Sequence, residues 1–285
     1  MGIVIITIPG KAKASFARAL NDRTKGDVEL VIVQKNRRYN LFERIRRLYN
    51  SVGIGKLPKE LLYANILRFN HRLRNKLEYF RDTSFDDTSA LSPRTIEVDS
   101  VNGAEVHELL KKLSPELLVV WGSTILEPHI VKSAKRAINL HMGYCPHYRG
   151  ALANQHAVLR GDVEHVGATI HYVNGKPDAG DILEVIRADT SKHPRELLLD
   201  VNNRAFERFV DIAERLAAGE NLPAVQQEND QSNVLLLREW VPSLRYRLGR
   251  KMLEWEKEKQ REVAWRDAIA QDVSAYEVNT ERIQN

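Results

Sequence analysis

Ile3-Val4-Ile5-Ile6-Thr7-Ile8-Pro9-Gly10-Lys11 opens the chain with an unbroken apolar run that stops at a Pro-Gly pair. Lys11 to Leu20 then shows helical spacing, and Val28 to Val33 is a second apolar, β-branched run. Strands with one wet face alternate apolar and polar residues. Continuous apolar strands joined through a helix instead belong to a parallel sheet covered on both faces. The pattern therefore predicts an open α/β fold. The turn after the first run lacks the spaced glycines of a dinucleotide fingerprint, so NAD binding is not expected. The run is also too short for a secretory signal and has no basic leader.

Further along, the alternation repeats. Thr95–Val98 reads as a short strand, Gly103–Leu113 as a helix and Leu117–Trp121 as a buried strand. Pro128 opens another helical stretch, and Ala137–Leu140 is a further strand. Val166–Val173 and Asp181–Ile186 read as strands, followed by a helix from about Arg195 to Leu216 that Gly219 and Pro223 close. Ligands of open α/β sheets bind beyond the carboxyl ends of strands. Gly122–Leu126 and Asn139–Gly150 stand at such ends.

Two regions depart from this rhythm. Lys35 to Asp82 carries thirteen Lys or Arg against four acids, with apolar residues at helical intervals. Phe42, Ile45, Leu48 and Tyr49 share one face, and Leu61, Leu62, Ile66, Phe69 and Leu73 continue the theme. This predicts two basic amphipathic helices inserted at about 36–82 and broken around Gly53, Gly55 and Pro58. They read as a solvated cover over the domain or as a surface for an anionic acceptor, partner or membrane. Asp82–Ser92 is polar and turn-rich. From Leu235 onward, Trp240, Trp255 and Trp265 stand among densely mixed charges, which predicts two or more helices. The expected division is a main domain over 1–230 and a helical extension over 231–285.

Bulk composition sets bounds on function. With 285 residues, 43% hydrophobic and 28% charged, the chain can bury a full core. Cys145 is the only cysteine, so no intramolecular disulfide can form and a reducing compartment is expected. No stretch approaches the roughly 20 apolar residues of a membrane helix. A cytoplasmic location is the expectation. The net charge of +5 favours anionic partners without naming one.

The chemistry concentrates in Asn139-Leu140-His141-Met142-Gly143-Tyr144-Cys145-Pro146-His147-Tyr148-Arg149-Gly150, then Gly167-Ala168-Thr169-Ile170-His171-Tyr172-Val173, then Asp178-Ala179-Gly180-Asp181. Asn139 and His141 are two apart, so an extended chain points both to one side. Gly143, Pro146 and Gly150 turn the chain into a loop. His171 and Asp178 flank a strand pair whose connection can carry the carboxylate back over the same point. An amide donor, an imidazole and a carboxylate suit attack by an amine on a carbonyl. The amide and a protonated His can stabilise the oxyanion, and the carboxylate can hold a relay water and keep the His charged. Arg149 suits either a phosphate of the acceptor or a cap on the loop. His147, His156 and His165 lack metal-ligand spacing, so no metal is expected. Nothing arranges Cys145 as a nucleophile.

These motifs, Asn-x-His-x-Gly-x-x-Pro-x-Tyr-Arg-Gly, Gly-x-Thr-x-His and Asp-x-Gly, resemble the signature of the folate-dependent formyltransferases. The resemblance covers roughly residues 1–225 in element order and is motif-specific over about 139–183. It implies a Rossmann-like formyltransferase domain with a mostly parallel sheet that takes its formyl group from 10-formyltetrahydrofolate. By resemblance, Asn139 steadies the oxyanion, His141 is the acid or charge partner, Asp178 orders the relay water and His171 braces the Asp178 loop. Gly122, Ser123, Thr124, Ile125 and Leu126 match the loop lining the pteridine pocket, His171, Val173 and Asn174 are further cofactor-binding positions, and the loop Asn174–Asp178 closes the pocket. Gly143, Pro146, Tyr148, Arg149 and Gly150 fall on the acceptor side. Two departures stand out: the basic insertion, and Tyr144-Cys145 in place of an aliphatic pair before Pro146. The tail lacks the alternating strands of the small barrel in methionyl-tRNA formyltransferases. The expected acceptor is an amino sugar on a nucleotide carrier. Glycinamide ribonucleotide and methionyl-tRNA are alternatives, as is a non-catalytic folate-, nucleotide- or RNA-binding protein of the same fold. Nucleic acid is not the expected partner, and apolar positions in the tail leave room for a homodimer.

Overall fold

Strand and helix alternate as the apolar runs demand. In chain order the elements are β1 (Ile3–Thr7), α1 (Lys11–Arg23), β2 (Val28–Gln34), α2 (Leu41–Val52), α3 (Leu57–Phe69), α4 (His71–Glu78), β3 (Thr95–Val98), α5 (Ala104–Leu113), β4 (Leu117–Trp121), α6 (Pro128–Val131) and β5 (Arg136–His141). They continue with β6 (Arg149–Gly150), α7 (Ala153–Arg160), β7 (Gly167–Tyr172), β8 (Ile182–Arg187), α8 (Pro194–Ala217), β9 (Val234–Leu235) and α9 (Pro242–Ile283). The computed structural model describes residues 2–37, 39–81, 93–227 and 234–283, with the backbone alone over 266–283. The turn-rich segment expected at Asp82–Ser92 and the boundary expected at 230/231 lie outside the described residues.

The sheet is ordered β3-β2-β1-β4-β5-β7-β8. β3, β2, β1, β4 and β5 run parallel, whereas β7 is antiparallel to both β5 and β8. The chain therefore winds outward from β1 through β2 and β3, then returns to β4 on the other side of β1. The carboxyl ends of β1 and β4 thus flank a topological switch point, where open α/β sheets have their crevice.

Every side chain of β1 is buried because both faces of the sheet are covered. Ile3 and Ile5 pack with Phe16 and Leu20 of α1 and with Phe206, Phe209 and Leu216 of α8. Val4 and Ile6 turn the other way, onto Val106 and Leu110 of α5 and Ile130 of α6. Each such buried aliphatic or aromatic side chain contributes about 1.5–3 kcal/mol. The result is a Rossmann-like, mostly parallel sheet with flanking helices and a helical C-terminal region.

The insertion contains three helices where two are expected. Gly53 caps α2, but Pro58 does not break anything; it sits in the first turn of α3, where a missing N–H is tolerated. The unforeseen break is at Asn70, whose side chain accepts from the Leu73 N–H at 3.0 Å and starts α4. Leu73 is buried as the periodicity expects, whereas Phe42, Tyr49, Leu61, Leu62 and Phe69 are exposed.

After β9 and one short turn, the tail forms a single helix rather than several. α9 packs on α3, α4 and α7. Leu248, Met252 and Trp255 of α9 close a third apolar cluster with Tyr148, Ala157 of α7, Leu197 of α8 and Leu235. Two polar ties join tail and insertion. Glu60 accepts from the Ser243 N–H and hydroxyl at 2.8 and 2.7 Å, and the Lys76 ammonium meets Glu256 at 2.7 Å with both side chains largely buried.

Candidate active site

β5 ends in Asn139-Leu140-His141, with Asn139 opposite His171 and His141 opposite Thr169 in the antiparallel pair with β7. The 173–181 connection between β7 and β8 folds back over these side chains and delivers Asp178. Asp178 is held in the left-handed region at φ 44, a conformation that costs a non-glycine residue about 1–2 kcal/mol. At Gly180 the backbone approaches the Tyr172 carbonyl so closely that any Cβ would collide with it. The Asp178 turn therefore closes only with glycine at 180.

Four protein groups surround the carboxylate. Asn139 Nδ2 donates to Oδ1 at 3.1 Å, and His171 Nε2 stands 3.4 Å from the same oxygen. The Gly150 N–H donates to Oδ2 at 2.9 Å, and His141 Nδ1 is 3.3 Å from it. Because a carboxylate only accepts, Asp178 also fixes which way the Asn139 amide points. His141 Nε2 faces the Tyr148 carbonyl at 2.9 Å, so that nitrogen carries a hydrogen and donates. His171 Nδ1 donates in the same way to the Tyr172 carbonyl at 2.8 Å. Burial alone would raise the Asp178 carboxyl. The charge of His141, the hydrogen bond and charge of His171, and the Gly150 N–H outweigh burial and hold it well below the ordinary carboxylate range. Each oxygen thus has two protein partners.

The loop between β5 and β6 is shaped around the imidazole. A Cβ at Gly143 would meet the Ala153 side chain and the His141 ring. Thr169, which the motif contains but whose role was not foreseen, donates to the Gly143 carbonyl at 2.7 Å and accepts from the Cys145 N–H at 3.0 Å. Tyr148 is anchored through its hydroxyl to Asp162 at 2.8 Å, which fixes the carbonyl that His141 uses. Tyr148 thus belongs to the loop's frame, and Gly150 to the carboxylate cradle. The Arg149 side chain is 1% exposed, and its Nε and one terminal nitrogen have no hydrogen-bond partner. Burial and the Asp178 charge push the Cys145 thiol up to about 12, so it stays a protonated thiol.

The residues expected around the pteridine form the neighbouring wall. Gly175 approaches Pro128 to within reach of a Cβ at 3.9 Å, so the 174–178 loop borders the 122–128 loop. Gly122 and Ser123 are half-buried, Leu126 is buried and Ile125 is exposed. Part of this loop is already engaged: the Thr124 N–H donates to Gln34 at 3.3 Å, and the Ile125 carbonyl accepts from Asn102 at 2.9 Å. Val173 donates through its N–H to Ala137 at 2.8 Å, and Asn174 donates to the Ala179 carbonyl at 2.9 Å, bracing the Asp178 turn.

Two further residues escaped the sequence reading. Gln227, buried, donates to the Asp178 carbonyl at 3.1 Å and to that of Gly180. Nothing local in the sequence marks it, since it acts across 49 residues. Lys13 lies 4.9 Å from the Trp121 ring centre and beside Gly122, at the switch-point crevice. Burial and the Arg81 charge lower its ammonium below the ordinary lysine value.

The sheet order and topology are those of a Rossmann-like α/β protein, with the Asn139–His141–Asp178 cluster at the carboxyl end of β5. The formyl transferase family model matches residues 3–208, and the chain belongs to that family. Its curated relatives include the methionyl-tRNA formyltransferase of Finegoldia magna, 27% identical over 200 residues, which are 70% of this chain and 52% of that one. That of Syntrophomonas wolfei is 28% identical over 142 residues, 48% of this chain and 45% of its own. The chain thus spans about half the length of the curated relatives it matches. Among solved structures, a 4-N formyltransferase from Francisella tularensis superposes with a TM-score of 0.50 at 15% identity, covering 84% of this chain and 78% of that one. An N-formyltransferase from Helicobacter canadensis, in complex with folinic acid and dTDP-3-aminofucose, gives 0.50 at 14% identity over 88% and 80%. At these identities the likeness is one of fold.

Proposed function

We propose that the protein transfers a formyl group from 10-formyltetrahydrofolate to a primary amine, with an amino sugar on a nucleotide carrier as the acceptor. The observation that carries the transfer chemistry is the Asp178 carboxylate, bound at once by Asn139, His141, His171 and Gly150. When the amine attacks the formyl carbon, the new C–N bond turns the carbonyl oxygen into an oxyanion. Asn139 Nδ2 has a second hydrogen to offer it, and that hydrogen is free whenever His171 Nε2 is itself protonated and donates to Asp178. His141, charged when Nδ1 is protonated, is stabilised by Asp178 and can place positive charge beside the oxyanion. Collapse then breaks the bond to the folate nitrogen, which takes up the proton the amine loses. In this reading Gly122–Leu126 and Val173–Asn174 hold the folate, while the loop through Gly143, Pro146, Tyr148, Arg149 and Gly150 shapes the acceptor side.

One point supports the sugar acceptor. The Helicobacter protein with the same fold was crystallised with a nucleotide-linked amino sugar. The second reading, methionyl-tRNA as acceptor, is favoured by the identity of the curated relatives. The deciding experiment incubates the protein with 10-formyltetrahydrofolate and dTDP-, UDP- or GDP-linked amino sugars, glycinamide ribonucleotide and charged initiator tRNA. Mass spectrometry then looks for a product heavier by one CO. A formylated sugar supports the proposal, and a formylated tRNA replaces the acceptor. No transfer together with no folate binding sinks the enzymatic reading altogether.

A further inference from the structure

We infer that the outer face of α2, α3 and the turn joining them docks on an anionic lipid bilayer. The inference does not depend on which amine is the acceptor. α2 has no buried residue at all, although its sequence is strongly amphipathic. Phe42 is 72% exposed, Ile54 in the connecting turn 76%, and Phe69 at the end of α3 73%. Leu41 and Leu62 are also exposed. Phe42, Arg46 and Tyr49 stand at i, i+4 and i+7 and so share one stripe of α2; Leu62 and Phe69 share one on α3. α2 and α3 adjoin, and exposed apolar side chains stand on both helices and on the turn between them, the kind of feature that marks interaction sites.

Charge selects the occupant. Between Leu41 and Phe69 there are six Lys or Arg and two Glu. Of the two carboxylates, Glu60 is buried and holds Ser243, and Glu43, half-buried at the start of α2, accepts from the Asn40 N–H at 2.9 Å in a capping box. All six cations are exposed, against the single surface carboxylate of Glu43, so the outward field is net positive. Projecting aliphatic and aromatic side chains with interleaved basic residues match an interfacial helix, whose apolar face enters the headgroup boundary while its cations meet anionic lipid. A nucleic acid would use the same cations but would gain nothing from burying Leu41, Ile54 or Leu62.

The test is flotation of the full chain with vesicles of phosphatidylcholine alone or with about 30% phosphatidylglycerol. The expected result is a bound fraction roughly tenfold or more higher on the anionic vesicles, falling as salt is raised. The variant Phe42→Glu/Ile54→Glu/Phe69→Glu should lose that binding while keeping its circular dichroism spectrum, as these side chains are exposed. Lys112→Glu, exposed on α5, should retain it. Equal binding to neutral vesicles, no flotation at low salt, or flotation of the triple variant like wild type would each overturn the inference. So would a dimer that the triple substitution dissociates and that never binds vesicles.

Discussion

Replacing Asp178 by Asn removes one charge and almost no volume, and it tests the centre of the proposed chemistry. The carboxylate lies 3.3 Å from His141 Nδ1 and 3.4 Å from His171 Nε2. At 3.3 Å, two unit charges attract by about 5 kcal/mol for an effective dielectric constant of about 20. The substituted amide keeps one acceptor oxygen but turns an NH2 toward two existing donors, a conflict worth about 1–3 kcal/mol of stability. Not all of the lost attraction appears in the barrier, because water and His171 compensate in part. A fall in kcat of about 100- to 1000-fold, or about 2.7–4 kcal/mol, is expected. Single-turnover kinetics on the acceptor identified by the panel would measure it, with thermal melts run in parallel. The pH dependence of stability gives an independent readout. The native Asp178 carboxyl titrates below its unfolded value of about 3.9. The unfolded chain therefore binds more protons below that value, and the wild type loses this contribution as pH falls through the native titration. The Asn variant should show a flatter acid limb. Turnover within fivefold of wild type, with an unchanged acid limb, would refute both the charge argument and the assignment.

Other outcomes rest on the same geometry. Asn139→Ala should lower kcat by about two orders of magnitude with little change in fold, measured by steady-state kinetics and circular dichroism. Cys145→Ala should keep turnover within a few-fold of wild type, because the buried thiol is not ionised; a collapse of activity with an intact fold would restore it as a nucleophile. Gly180→Ala must push the chain off the Tyr172 carbonyl and should cost about 2–4 kcal/mol in chemical denaturation while impairing kcat. Lys76→Ala leaves Glu256 buried without its partner and should destabilise by about 3 kcal/mol. The pair Lys76→Met/Glu256→Leu should recover most of that loss.

The sheet was legible because buried parallel strands need apolar residues at every position, and Ile3–Ile8 and Leu117–Trp121 supply them. The site was legible because Asn139 and His141 sit two apart on one strand. Their convergence with His171 and Asp178 depends on the antiparallel pairing of β7 with β5. Three features were not legible. Asn70 starts α4 inside a leucine-rich stretch, where helical periodicity continues unbroken on either side. α7 carries the mixed run Ala153–Arg160 and is fixed by packing under α9 rather than by its own pattern. Gln227 acts through one side-chain amide on a turn far away in sequence, which no local window can contain. In the insertion, the periodicity identified the apolar faces but not their environment. Phe42 and Phe69 lie on those apolar faces and stand in solvent.

The clamp formed by β9 and α9 has a consequence for the order of synthesis. Gly150, whose N–H binds Asp178, is paired through β6 with Leu235, and Tyr148, whose carbonyl receives His141, is roofed by Leu248, Met252 and Trp255. A nascent chain that has already made Asn139, His141 and Asp178 still lacks the segment that fixes the loop between them. The proposed reaction centre should therefore be completed only once Trp255 has emerged, after the sheet beneath it can form. Non-local closure of this kind is slow to fold. Activity should thus lag behind the recovery of β-sheet signal when the protein is refolded.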